Sequence, residues 1–97
     1  MKNDWVIYKY DFPLQDVVDL LLPVGSKILK IEPQNNKPKY WLLRPVDDTN
    51  SRVEVRRFRV YGTGHYIEDI ERLTHITSFQ DGDFIWHIFE DIDYHRS

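Results

Sequence analysis

Apolar and polar positions alternate in short runs that are broken by proline, glycine, asparagine and aspartate, and this pattern predicts a chain built of strands. WVIYKYDF (Trp5 to Phe12) is rich in β-branched and aromatic residues and stops at Pro13. The turn residues Pro23-Val24-Gly25 precede SKILKIE (Ser26 to Glu32), a second strand-like run. QNNKP (Gln34 to Pro38) then connects to YWLLR (Tyr40 to Arg44), so these two runs predict a hairpin. PVDDTNS (Pro45 to Ser51) reads as a polar loop. In PLQDVVDLLLP, Leu14, Val17, Val18 and Leu21 fit one face of a helix. The flanking prolines leave only nine residues for it, too few for a stable helix, and extended structure is the expectation.

RVEVRRFRVYG shows a slip in phase. Val53 and Val55 are apolar at odd positions, Phe58 and Val60 at even ones, and the change falls at Arg56-Arg57. A β-bulge does this by placing an extra residue on one strand; a strand that begins at Val55 after a longer loop does it equally well. LTHITSFQDGDFIWHIFE (Leu73 to Glu90) is the clearest element, because Asp81-Gly82 between two strand runs is a hairpin signal. A loop at those two residues predicts Gln80 opposite Asp83, Phe79 opposite Phe84 and His75 opposite Ile88. Phe79, Phe84, Trp86 and Ile88 then form a core face, and Ser78, Ile85, His87 and Phe89 a mixed one. In this register His75 and His87 diverge. Trp41 and Trp86, both mid-strand, are expected in the core. Tyr8, Tyr10, Tyr61 and Tyr66 suit a wet surface, because each keeps a polar tip.

The expected fold is therefore mainly β: a small antiparallel sandwich or barrel-like meander of five or six strands, with little helix. Residues 1–97 read as a single domain, with Met1 to Asp4 and the tail after Asp91 flexible and exposed.

Composition changes this picture at few points. The aromatic share of 14% supplies bulk for a core in a short chain, and assembly into a homo-oligomer would bury more. A net charge of -3 argues against general binding to DNA or RNA duplexes, which rests on many Lys and Arg contacts to phosphate. There is no cysteine, hence no disulfide or thiolate chemistry. No run has signal-peptide or membrane-span character, and a cytoplasmic location is expected.

Candidate chemistry is sparse. The histidines (His65, His75, His87, His95) show no tight metal-ligand spacing, and no metal or other cofactor is expected. His75-Ile76-Thr77 matches one H-x-[ST] element, but two-histidine phosphoesterases need a second, and none is present. No nucleophile elbow appears. Gly62-Thr63-Gly64 lacks the Lys-Ser/Thr of a Walker loop and the third glycine of a dinucleotide fingerprint. Taken alone it reads as a strand-ending turn beside a solvated arginine face. Its glycines nevertheless allow backbone N–H groups to approach an anion, and Arg56, Arg57 and Arg59 precede it.

LPVGSKILKIEPQ, YWLL, RRFRVYGTGH and WHIFE together resemble a family of small uncharacterised domains from phages and bacteria. The resemblance covers about Ile7 to Glu90 and is most specific at Gly62-Thr63-Gly64-His65 and Trp86-His87-Ile88-Phe89-Glu90. Ser26 stands where the family usually carries alanine, and VVDLLL runs longer before Pro23 than the family pattern. The resemblance implies a β-rich fold and a phage-type origin, and it transfers no catalytic role. Small phage proteins of this kind often act by binding, some as oligomeric sponges for cyclic nucleotides of host defence. The expectation is thus a non-enzymatic, homo-oligomeric binder of a small anionic ligand, a cyclic nucleotide in the concrete case, working in the host cytoplasm. Its site is expected at Arg57, Arg59, Tyr61, Gly62, Thr63, Gly64, His65 and Tyr66: arginines for phosphates, the glycine turn and His65 to complete the pocket, a tyrosine to stack on a base. The alternative is a protein-interaction module, a phage accessory protein or host-enzyme inhibitor.

Overall fold

A computed structural model describes residues 4–46 and 52–96. Met1 to Asn3 and most of the expected polar loop at 45–51 lie outside the described residues. The described residues form seven strands, β1 (Trp5–Asp11), β2 (Val17–Pro23), β3 (Lys27–Gln34), β4 (Lys37–Pro45), β5 (Val53–Gly62), β6 (Leu73–Asp81) and β7 (Phe84–Arg96), with one 3-10 turn at Ile70–Arg72. They form two antiparallel sheets, ordered β1-β4-β3 and β2-β5-β7-β6. The mainly β expectation holds, with seven strands in place of five or six. The ambiguous run supplies the additional one: β2 alternates exposed and buried residues from Val17 to Leu22, as an extended strand does and a helix does not. Among the described residues no helix is long and apolar enough to cross a membrane.

The inner faces of the two sheets share one core. Ile31, Tyr40 and Leu42 come from the small sheet; Val18, Leu20, Leu22, Phe58, Val60, Phe79 and Ile88 come from the large one, and Phe12 closes it between them. Trp86 packs against this core, but Trp41 does not belong to it. Trp41 neighbours the inward-facing Tyr40 and Leu42, so alternation turns it to the outer face, where the Lys30 ammonium lies 4.7 Å from its ring. Phe84, also expected in the core, is 64% exposed and stacks on Trp86 beyond the core's end. Tyr10, expected at a wet surface, stacks on Tyr40 and accepts a hydrogen bond from Arg44 Nη1 (3.1 Å).

The β3–β4 hairpin forms as expected. Asn35 and Asn36 both take positive φ (53° and 66°), the conformation of a two-residue hairpin turn that asparagine tolerates.

The bulge expected at Arg56-Arg57 is present as a register shift between β5 and β7, but the extra residues are not on β5. β5 runs against β2 without a break from Val53↔Pro23 to Arg59↔Val17. Arg56 keeps the inward phase of Phe58 and Val60 because it is paired inside the sandwich: its Nε and Nη2 each donate to a Glu90 carboxylate oxygen at 2.7 Å, and its Nη1 donates to the Ser26 carbonyl at 3.0 Å. The irregularity lies in β7, where Asp91 to Tyr94 stand opposite the single residue Arg57. β7 thus continues past the expected start of the exposed tail, and Asp91 is only 1% exposed.

The final hairpin turns one residue later than expected. Gly82 and Asp83 form the loop, with Gly82 at φ 62°, so Phe79 faces Trp86 and Ser78 faces His87. The partner shift is two residues, which leaves the faces near the turn as expected. A bulge at Ile76 then reverses the phase: Thr77 faces Ile88, but His75 faces Phe89. His75 is thereby carried to the face that holds His87.

Candidate functional site

β5 and β6 flank β7 on opposite sides and run parallel to each other, so the chain between Gly62 and Leu73 must cross β7 on one face of the sheet. It crosses the outer face and encloses a cleft of about 300 Å³. Arg59, Tyr61, Leu73 and Asp91 line the cleft from the sheet; Tyr66, Glu68, Asp69 and Arg72 line it from the crossover. Asp69 takes left-handed backbone angles (φ 53°, ψ 48°) and starts the 3-10 turn that delivers Arg72, with the Arg72 N–H donating to its carbonyl at 2.9 Å. A non-glycine residue in that conformation is a locally costly one, and such residues cluster at ligand sites.

Asp91 organises the cleft. Arg72 Nη2 donates to Asp91 Oδ2 at 2.9 Å, Arg59 Nε stands 3.8 Å from the same oxygen, and Asp91 Oδ1 accepts the Asp93 N–H at 3.2 Å. A carboxylate this buried needs such partners. Arg72 Nε also stands 3.7 Å from Asp93 Oδ2, so the two guanidinium groups are balanced by two carboxylates, one buried and one exposed. Arg59 and Arg72 are a third and nearly half exposed, so both present donors to the cleft. Glu68 and Asp69 add exposed carboxylates at the rim, which makes the lining mixed in charge rather than cationic.

Three of the eight residues expected at the site, Arg59, Tyr61 and Tyr66, line this cleft. Arg57 does not. It is held bidentately by Asp19 (2.8 and 2.9 Å) and its guanidinium lies 3.8 Å from the centre of the Tyr94 ring. That pairing pushes the Arg57 guanidinium further up its range, and the same hydrogen bond, against a smaller cost of burial, lowers the Asp19 carboxyl.

Gly62, Thr63, Gly64 and His65 form a closed turn outside the cleft. The His65 N–H donates to the Gly62 carbonyl (3.0 Å), the Gly62 N–H donates to His65 Nδ1 (3.0 Å), and the Thr63 N–H donates to the Ile85 carbonyl (3.3 Å). Gly64 has φ 95°, as the third residue of such a turn requires. Three of the turn's four N–H groups are therefore engaged within the protein. A Cβ on Gly62 would stand 3.1 Å from the His65 ring and 3.3 Å from Trp86, so glycine there serves close packing.

A second polar constellation lies on the same outer face. Thr63 Oγ1 meets His87 Nε2 at 2.9 Å, His87 Nδ1 meets Ser78 Oγ at 2.7 Å, and His75 Nε2 meets the same oxygen at 2.9 Å. Phe89 packs edge-on to both His75 (5.2 Å) and Tyr61 (5.8 Å), and so stands between this chain and the cleft. The expected divergence of His75 and His87 is overturned, because the bulge at Ile76 brings them together.

Glu68, Asp69, Arg72, Leu73 and Asp91 were not legible as site residues. The only sequence signal was a charged segment between two strand runs, and nothing in it shows that the segment crosses the sheet.

A family model described as a domain of unknown function (DUF7352) matches residues 4–96, and the chain belongs to that family. No curated protein and no solved structure matches it.

Proposed function

We propose that this DUF7352 domain is a non-enzymatic binding protein that sequesters a small anionic ligand, a cyclic nucleotide signal of host defence in its most concrete form. The observation that carries the reading is the arrangement of Arg59 and Arg72 on Asp91 in a cleft that Tyr61 lines from the sheet and the exposed Tyr66 from the crossover. Guanidinium groups pre-positioned by a buried carboxylate are suited to phosphate oxygens. Tyrosine rings offer stacking faces to a base. Exposed carboxylates at Glu68 and Asp69 disfavour a bare polyanion, but they accept hydrogen bonds from ribose hydroxyls and base amino groups. The mixed lining therefore favours a nucleotide over inorganic phosphate. The role is phage-type and cytoplasmic, carried out by a homo-oligomer.

Calorimetric titration with a panel of cyclic di- and oligonucleotides tests this. Saturable binding is expected, weakened about tenfold or more in Arg59→Ala and in Arg72→Ala, since a hydrogen bond to a charged group contributes about 1.5 to 3 kcal/mol. No heat with any member at high protein concentration would sink the proposal.

One observation favours a protein-interaction module as a second reading. The outer face of the small sheet carries Trp5 and Ile7, both about half exposed, beside Leu43 and Trp41. Recovery of a single stoichiometric protein partner that is lost on Trp5→Asp would favour it.

A further inference from the structure

We propose that His75 and His87 form an open binding site for a divalent transition metal of the zinc and copper type. His75 Nε2 and His87 Nδ1 lie 2.9 and 2.7 Å from one atom, Ser78 Oγ, so two ring nitrogens converge on a single point. Imidazole ligands bind zinc at about 2.0 to 2.1 Å, so an ion held by both rings takes the place of the Ser78 hydroxyl and draws the two nitrogens in by rotation of their side chains. The Ser78 hydroxyl turns aside.

The surroundings orient both rings. The other nitrogen of His87, Nε2, faces Thr63 Oγ1 at 2.9 Å; in the tautomer in which that hydroxyl accepts the Nε2 proton, Nδ1 is free to ligate. His75 is held by its edge-on contact with Phe89. His75 is exposed and His87 half-buried, so an ion reaches them from solvent. No cluster of three or more His, Cys, Asp or Glu occurs among the described residues, so water completes the coordination. Such a site is open and exchangeable, unlike a closed structural zinc site. A set of imidazoles without carboxylate selects zinc, copper or nickel over magnesium or calcium. Linear spacing hides it, because the two histidines sit on different strands and become neighbours only through the β6–β7 register and its bulge.

The test is titration of the full chain with Zn²⁺ and, separately, Cu²⁺. One ion per chain is expected. His75→Ala and His87→Ala each lose binding at least tenfold, His65→Ala binds as the wild type does, and Thr63→Val binds about tenfold more weakly through the freed tautomer. Proton NMR of the wild type with substoichiometric Cu²⁺ gives a readout independent of the variants' folding: the ring signals of His75 and His87 broaden first. Broadening centred on other histidines, absence of saturable uptake, or uptake retained in the double alanine variant would each overturn the proposal.

Discussion

Ser26 shows how far single residues were legible. Its hydroxyl is buried and is the one buried side-chain polar atom without a hydrogen-bond partner among the described residues, while its carbonyl accepts from Arg56. At this position the backbone is used and the hydroxyl is not. Ser26→Ala is expected to stabilise the fold by about 1 kcal/mol by removing an unsatisfied group, read as a raised thermal midpoint. The Arg56–Glu90 pair is the opposite case, a bidentate and nearly buried ion pair whose hydrogen bonds raise the arginine further up its range. Glu90→Ala strands a buried guanidinium and is expected to cost about 3 to 5 kcal/mol, measured by urea denaturation. Asp19–Arg57 is more exposed and contributes less, under about 1 kcal/mol after solvent screening. Because Asp19 has a lowered folded pKa, its contribution is full above the unfolded value near 4 and is lost as pH falls through the folded one. Asp19→Asn should therefore lower stability at neutral pH and make no difference at the acid end, which denaturation at several pH values checks. Arginine side chains in a row read alike in sequence; their partners, one buried glutamate, one surface aspartate and one shared aspartate, distinguish Arg56, Arg57 and Arg59.

At the scale of elements, strand positions were legible because period-2 alternation and turn residues mark them locally. Registers were less so. The Asp81-Gly82 signal located the hairpin, but the loop formed at Gly82-Asp83, since either pair contains the glycine that a positive φ requires. The bulge at Ile76 left no trace in the alternation that could be told from ordinary variation, yet it decides which face His75 occupies. Gly64, at φ 95° with open space around its missing side chain, isolates backbone strain from packing. Gly64→Ala is expected to cost about 1 to 2 kcal/mol while leaving the cleft's ligand affinity unchanged, because the turn stands outside the cleft. Thermal denaturation and calorimetry on the same variant separate the two effects.

At the scale of the molecule, the chain is a slab of 49 × 32 × 15 Å, thin in one direction and open at the strand edges. β2 ends the large sheet with a single charged side chain, Asp19, and with Leu21 65% exposed. An apolar edge of this kind, without lysine or a mid-strand proline, invites pairing with another strand. Homo-oligomerisation through β2 is the expected outcome. Sedimentation velocity should show a concentration-dependent assembly that Leu21→Lys shifts towards the monomer, with the circular dichroism spectrum unchanged because the side chain contributes little to the core. A wild type that stays monomeric across the same range would exclude it.

The sequence by itself determined that the chain is strand-built, where most strands lie and which turns join neighbours, because these depend on local alternation and on residues that permit or forbid particular backbone angles. It also marked Arg59, Tyr61 and Tyr66. Only the tertiary structure decided that a crossover spans β7, that Asp91 is buried beneath it between two arginines, and that His75 and His87 share one serine. Each of these depends on which strands become neighbours and in what register, a long-range property to which a one-residue bulge contributes as much as the whole alternating pattern around it.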